Sequence, residues 1–306
     1  MMSSHSKTNS ALWGQCIGDS IGRHLLNKDN ASSIWLQYIH QQTLPFKRGK
    51  YSIYAEQALI LVQQYQGTTF SNVEHFQQVL ISRLRSKTSN TLLCRSIRNN
   101  TPFDTPDLET AARLGPLATT FTDHDKMLDW HYQLAQIMST NPISIAGALL
   151  YSSACWHQAH SKDIFSLFSA TSNWSGAQAI PSRIWWAYQQ ATWILNNGYG
   201  QQEMLAFVAS FLGAEHKAMI PTSQQALSIL PILWHNCMEN SFITALTKGI
   251  SIGGELELIG GITGCLTGIP NDIPDWLQHA FEKNKHLQHY PIPSNPVEKN
   301  EQFKLF

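Results

Sequence analysis

Two glutamates, Glu255 and Glu257, follow directly on the glycine pair Gly253-Gly254. A carboxylate pair beside an exposed backbone turn suits general acid–base chemistry, or a hard cation such as magnesium, which takes oxygen ligands in near-octahedral geometry. The same residues equally suit the first turn of a helix, where the macrodipole favours a carboxylate by roughly 0.3–1 kcal/mol. Residues i and i+2 of a regular helix do not face each other, so the pair converges only if Glu255 still lies outside helical geometry. Convergence without a metal raises the pKa of one of them. Gly253 and Gly254 themselves are ligand-binding candidates through exposed backbone. Arg113 offers either a contact to a phosphate or a buried partner for an acid such as Glu109.

Other patterns are weaker. The 13 histidines include two i,i+3 pairs, His157 with His160 and His286 with His289. Neither has a carboxylate or cysteine at ligand spacing, so both read as surface polar residues. Trp185, Trp186 and Trp193 either stack on a base or pack into the core, and packing is the default for such a cluster. The five cysteines are scattered, odd in number and without a C-x-x-C pair. That argues against a disulfide framework or zinc knuckle and for small buried hydrophobes. There is no G-x-S-x-G elbow, H-E-x-x-H, Walker loop or G-x-G-x-x-G.

The elements that carry these residues read as helices. Apolar positions recur with helical period over 54–66, 143–159, 223–238 and 240–251, with Ser241 as an N-cap. One helix ends near Ile252 and a new one opens at Glu255. Its Gly260, Gly261, Gly264 and Gly268 each cost about 1 kcal/mol relative to Ala in an exposed helix, which makes sense if a second helix approaches closely. Pro270 and Pro274 mark the turn out, and Trp276 and Leu277 start an apolar anchor. Strand signals are weak. The reading is an all-α, compact single-domain helical bundle of roughly a dozen helices. Residues 1–10 read as a disordered N-terminus, 11–290 as the domain, 99–106 as a loop, and 291–306, with Pro291, Pro293 and Pro296, as a tail.

Charged residues are only 14% of the 306, below the usual quarter, so the surface relies on Gln, Asn, Ser, Thr and His. Lys plus Arg equals Asp plus Glu, so the basic excess of a nucleic-acid partner is missing. No apolar stretch approaches the length of a membrane span. No apolar h-region follows a basic start, and a cytoplasmic location is the expectation.

Four segments, in order, resemble the ADP-ribosylglycohydrolase family. Residues 11–22 (Ala-Leu-Trp-Gly-Gln-Cys-Ile-Gly-Asp-Ser-Ile-Gly) resemble its N-terminal Gly-Asp-x-x-Gly helix. Residues 110–117 (Thr-Ala-Ala-Arg-Leu-Gly-Pro-Leu) resemble its Ala-Ala-Met-Arg-x-x-Pro-Leu segment. Residues 139–148 resemble its Thr-His helix start. Residues 253–258 resemble its Gly-Gly-Asp-Thr-Asp-Thr turn, followed by a small-residue helix and an Ile-Pro-x-x-Trp-like exit.

The resemblance implies the family's all-α fold and its cleavage of glycosidic bonds of ADP-ribose, with two magnesium ions held by carboxylates and threonine hydroxyls. Residue by residue, most of those ligands are replaced. The early Thr-Asp-Asp-Thr positions read Ser52, Ile53, Tyr54 and Ala55, and a helix-one Glu falls on Leu26. The last motif reads Glu255, Leu256, Glu257 and Leu258. The His of the Thr-His helix start becomes Asn141, and small glycines before the Ala-Ala-Arg segment become Asp107 and Glu109, which would crowd a loop beside the substrate. Asp19 either helps to bind a ligand or makes a hydrogen bond inside a helix crossing. Ser52 and Asn141 are polar remnants at cleft positions, or simple turn and N-cap residues. The expectation is a degenerate magnesium site with no bound cofactor, in a pseudoenzyme or binding module for ADP-ribose or a nucleotide-like ligand. The alternatives are a hydrolase using Glu255 and Glu257 with one magnesium, and a structural partner of an active paralogue.

Overall fold

The computed structural model describes residues 4–45, 50–67, 73–84, 91–99, 101–104, 107–137, 139–163, 166–198, 203–204, 206, 239–281, 287 and 290. Among these there are fourteen α-helices and one 3-10 turn, Ala177–Ala179. The one extended contact is an isolated parallel bridge between Phe103 and Ser139. The helices are α1 (Ser4–Leu25), α2 (Ala31–Gln41), α3 (Ile53–Gly67), α4 (Val73–Leu84), α5 (Leu92–Asn99), α6 (Glu109–Ala112) and α7 (Gly115–Ala118). They continue with α8 (His124–Gln136), α9 (Pro142–Ala159), α10 (Leu167–Ser172), α11 (Ser182–Asn196), α12 (Phe242–Ile252), α13 (Leu256–Gly268) and α14 (Asp275–His279). No helix among the described residues is long and apolar enough to cross a membrane.

α1 and α13 form the spine. Gly14, Gly18 and Gly22 recur every four residues and so share one face of α1. A Cβ built on them would lie 2.0 Å from the Gly264 carbonyl oxygen, 1.9 Å from that of Gly260 and 1.9 Å from that of Leu256, respectively. Residue numbers fall on α13 as they rise on α1, so the helices run antiparallel with backbone against backbone. The glycines that α13 carries at a propensity cost are what the closest approach requires. Because the helices are antiparallel, the C-terminal half of α1 lies beside the start of α13.

Against this pair packs α9, in which every residue from Ser144 to His157 is buried. Its lack of a polar face is the mark of a helix surrounded by others. α12 begins on Ser241, whose hydroxyl accepts from the Thr244 amide at 3.3 Å. α2 is tied to α12 by the Trp35 indole donating to Thr247 Oγ1 at 2.9 Å. Trp35 also packs on Trp276 with ring centroids 6.3 Å apart, and Leu277 beside it is fully buried.

Three expectations are corrected. The stretch 1–10 is not disordered throughout: α1 starts at Ser4, and Thr8, Asn9 and Ser10 are buried. Polar composition hid this, because helix termini packed on neighbours satisfy polar side chains there; Thr119 Oγ1 donates to Thr8 Oγ1 at 2.9 Å. His157 is not a surface residue. It is 3% exposed, with Nδ1 2.8 Å from the Ser153 carbonyl, and its ring meets that of His124 edge-on. His160 stacks on Trp156 at 4.3 Å. The tryptophans divide: Trp185 is buried, whereas Trp186 and Trp193 are surface residues. Cys16, Cys94, Cys155 and Cys265 are buried free thiols. The expected helix at 223–238, the pair His286 and His289, Cys237 and the tail 291–306 lie outside the described residues, Cys237 and the helix within 207–238.

Candidate functional site

The site lies where α1, α3, α6 and α13 meet. α1 fastens three consecutive residues ahead of α3. Ser20 Oγ donates to the Lys50 carbonyl at 3.2 Å, Arg23 Nη1 to the Tyr51 carbonyl at 3.0 Å, and Asp19 takes Ser52. The Ser52 amide donates to Asp19 Oδ1 and the Ser52 hydroxyl to Oδ2, each at 2.5 Å. Ser52 Oγ in turn accepts from the Tyr54 amide at 3.1 Å. Asp19 therefore serves orphan donors at the start of α3, the role usually taken by a cap within the same helix. Burial pushes the Asp19 carboxyl up to about 7; the Ser52 bonds oppose that and the Glu257 charge adds to it.

At the start of α13 the glycine pair turns with positive φ, 78° at Gly253 and 82° at Gly254. Glu255 has φ −78° and ψ 78°, outside helical geometry. The condition for convergence with Glu257 is thus met. Burial raises the Glu257 carboxyl, Arg23 holds it down in part, and Glu255 raises it further. Both glutamates are half-buried, whereas Leu256 and Leu258 between and after them turn into the core, 5% and 1% exposed.

From the opposite side comes α6. Asp107 is folded inward and caps it, accepting from the Thr110 amide at 2.7 Å and the Thr110 hydroxyl at 2.9 Å. Glu109 is 4% exposed. Asp107 and Glu109, which the sequence places on a loop beside the substrate, are both buried. Arg113 lies behind them, 1% exposed, donating to Gln57 Oε1 at 3.3 Å and the Thr110 carbonyl at 3.4 Å. Burial lowers its guanidinium to about 10, with Asp107 and Glu109 offsetting. Its guanidinium lies in the interior, within the field of Asp107 and Glu109. Asn141 caps α9, accepting from the Ile143 amide at 3.0 Å and the Ser144 amide at 3.3 Å.

Tyr54 joins the two sides. It is half-buried, and its hydroxyl donates to Glu109 Oε1 at 3.4 Å. Burial, then Glu109, Glu255 and Glu257, push its phenol well up, so it stays a neutral donor. Sequence reasoning counted Tyr54 as a lost ligand and did not place it here. Nothing in the spacing pairs it with Glu109, 55 positions away. Among the described residues no group of three His, Cys, Asp or Glu could hold a metal ion.

A family model of ADP-ribosylglycohydrolases matches residues 2–290. The chain belongs to the ADP-ribosylglycohydrolase family. A solved structure described as an ADP-ribosylglycohydrolase-related protein complex is similar to it, with a TM-score of 0.64 at 15% identity over 95% of this chain and 99% of that chain. At that identity the likeness is one of fold. No curated protein matches. In family terms, the Gly-Asp-x-x-Gly segment is the α1 spine that presents Asp19, and the Gly-Gly turn presents the glutamates. The Ala-Ala-Arg segment is α6 with its buried Arg113.

Proposed function

We propose that this family member is a pseudoenzyme that binds ADP-ribose or a similar nucleotide-like molecule without the two-magnesium chemistry of its relatives. The observation that carries the reading is how the polar groups of the site are used. Asp19 is bound through both oxygens by Ser52, and Glu109 accepts from Tyr54. Ile53, Leu256 and Leu258 have no lone pairs to offer, and magnesium tolerates little departure from octahedral oxygen ligation at about 2.0–2.1 Å. The residues present therefore do not fit two such ions. What they do suit is hydroxyl recognition. Glu255 and Glu257 are half-buried acceptors beside a glycine turn. Among the described residues none lies within 4 Å of a Cβ built at Gly253, which leaves room for a ligand next to them. Sugar hydroxyls that donate to carboxylates form charge-assisted bonds, about twice as strong as neutral ones.

Isothermal titration with ADP-ribose, in magnesium and in EDTA, tests this. Equal affinity in both is the expected result. Binding only with magnesium, or magnesium-dependent release of ADP-ribose from a modified substrate, would overturn it in favour of a hydrolase working through Glu255 and Glu257. Absence of binding in both would overturn it in favour of a structural partner of an active paralogue.

A further inference from the structure

The cysteines form no pattern in the sequence, yet two of them meet in the fold. Cys155 lies on α9 and Cys265 on α13, 110 positions apart, and their sulfurs are 3.8 Å from each other. Both are free thiols and both residues are fully buried. A disulfide needs its sulfurs at about 2.03–2.05 Å, so closing the bond brings this pair together by about 1.8 Å. The two helices already pack on each other, and a change of side-chain rotamer at two facing cysteines supplies movement of that size. Cys16, on α1, also feels the Cys265 sulfur. Burial first, then Asp19 and Cys265, push its thiol well up, so it keeps its proton and is a poor nucleophile.

We infer that Cys155 and Cys265 are a redox pair, which a peroxide converts into a reversible disulfide tying the central helix α9 to the spine helix α13. One sulfur attacks the O–O bond of hydrogen peroxide, giving a sulfenic acid and a water. The second sulfur displaces the sulfenic oxygen, which leaves as another water. The two thiols together lose two protons and two electrons, and the peroxide is reduced to two waters. Because both sulfurs are buried, the oxidant enters only when the helices part locally, so closure is slow. α9 packs on α6, which carries Glu109, and α13 carries Glu257. The bond therefore joins the frames of the two sides of the candidate site without using any of its residues, and it does not depend on what that site binds.

The experiment treats the folded full chain with hydrogen peroxide, alkylates the remaining thiols in denaturant, and maps linked peptides by mass spectrometry without reductant. The expected product joins the Cys155 and Cys265 peptides at their summed mass less two hydrogens, and dithiothreitol separates them again. The closed loop should raise the thermal unfolding midpoint by about 5 °C or more over the reduced chain. Cys155→Ala and Cys265→Ala, each checked for folding by circular dichroism, control for oxidation elsewhere and should show no such rise. Wild type that forms no link while folded, or forms it only in urea, would overturn the inference and leave the pair as packed hydrophobes. Links through other cysteines instead, or sulfinic acid at Cys155 or Cys265, would overturn it as well. So would a linked chain that unfolds no later than the reduced one, since the bond would then form only by distorting the packed helices.

Discussion

Asp19 holds the start of α3, and its charge is costly where it lies. Both oxygens accept from Ser52, but the side chain is 1% exposed and Glu257 adds like charge nearby. Its carboxyl is raised from the ordinary range near 3.8 to about 7. The folded protein thus holds a proton that the unfolded chain has released. The stability this contributes is fully present below the ordinary value and is lost as pH rises through about 7. Asp19→Asn removes that titration. Between pH 4 and 7 its urea-unfolding free energy should rise with pH, relative to wild type, by about 1.4 kcal/mol per unit. Parallel pH profiles for the two proteins would refute the assignment.

At the scale of elements, the antiparallel contact of α1 with α13 sets the distance between Asp19 and the glutamates. Gly18→Ala puts a methyl group 1.9 Å from the Gly260 carbonyl oxygen, which is backbone and has no rotamer to give. The helices must separate, at a cost of about 3 kcal/mol or more, the upper end for overpacking. Gly253→Ala, where the Cβ meets no described residue, should cost only the backbone strain of φ 78° and ψ −164°, about 1–3 kcal/mol. Denaturant unfolding of the two variants gives the comparison, and equal losses would reject the close packing. The glycine rows that make this contact were legible in the sequence, because four glycines in one apolar helix have no other physical excuse. The helices over 54–66, 143–159 and 240–251 were legible too, from period and caps. The meeting of Tyr54 with Glu109 was not, because it depends on how α3 and α6 dock and no local period encodes that. Arg113 was read as phosphate contact or buried partner with the choice left open, since charge alone says nothing of depth. The helical start of α1 was missed because its polar residues find partners only in the packed molecule.

Across the whole molecule, buried acids and buried imidazoles act against each other. Burial raises Asp19, Asp107 and Glu257 and lowers His24, His124, His131 and His157. A raised acid makes the fold lose stability as pH rises, and a lowered histidine makes it lose stability as pH falls, so the two sets compensate in mildly acid solution. His131 is the clearest member of the second set. It is fully buried on α8, its ring meets Phe121 edge-on at 5.6 Å, and neither ring nitrogen has a hydrogen-bond partner among the described residues. Burial holds it down to about 3, so the unfolded chain takes up a proton below about 6.5 that the folded protein refuses. His131→Leu is apolar and of similar size, so it leaves no buried nitrogen unpaired. Relative to wild type it should gain about 3 kcal/mol on going from pH 6.5 to 4.5, that is 1.4 per unit over two units. Its stability should then fall with rising pH where that of wild type changes little, because the raised acids are left unopposed. The sign is opposite to that of Asp19→Asn, and the double variant should restore the wild-type slope if the two sites titrate independently. A single substitution that shifts the unfolding curve equally at every pH would show that His131 takes up its proton as readily in the fold as in the unfolded chain, contrary to its surroundings.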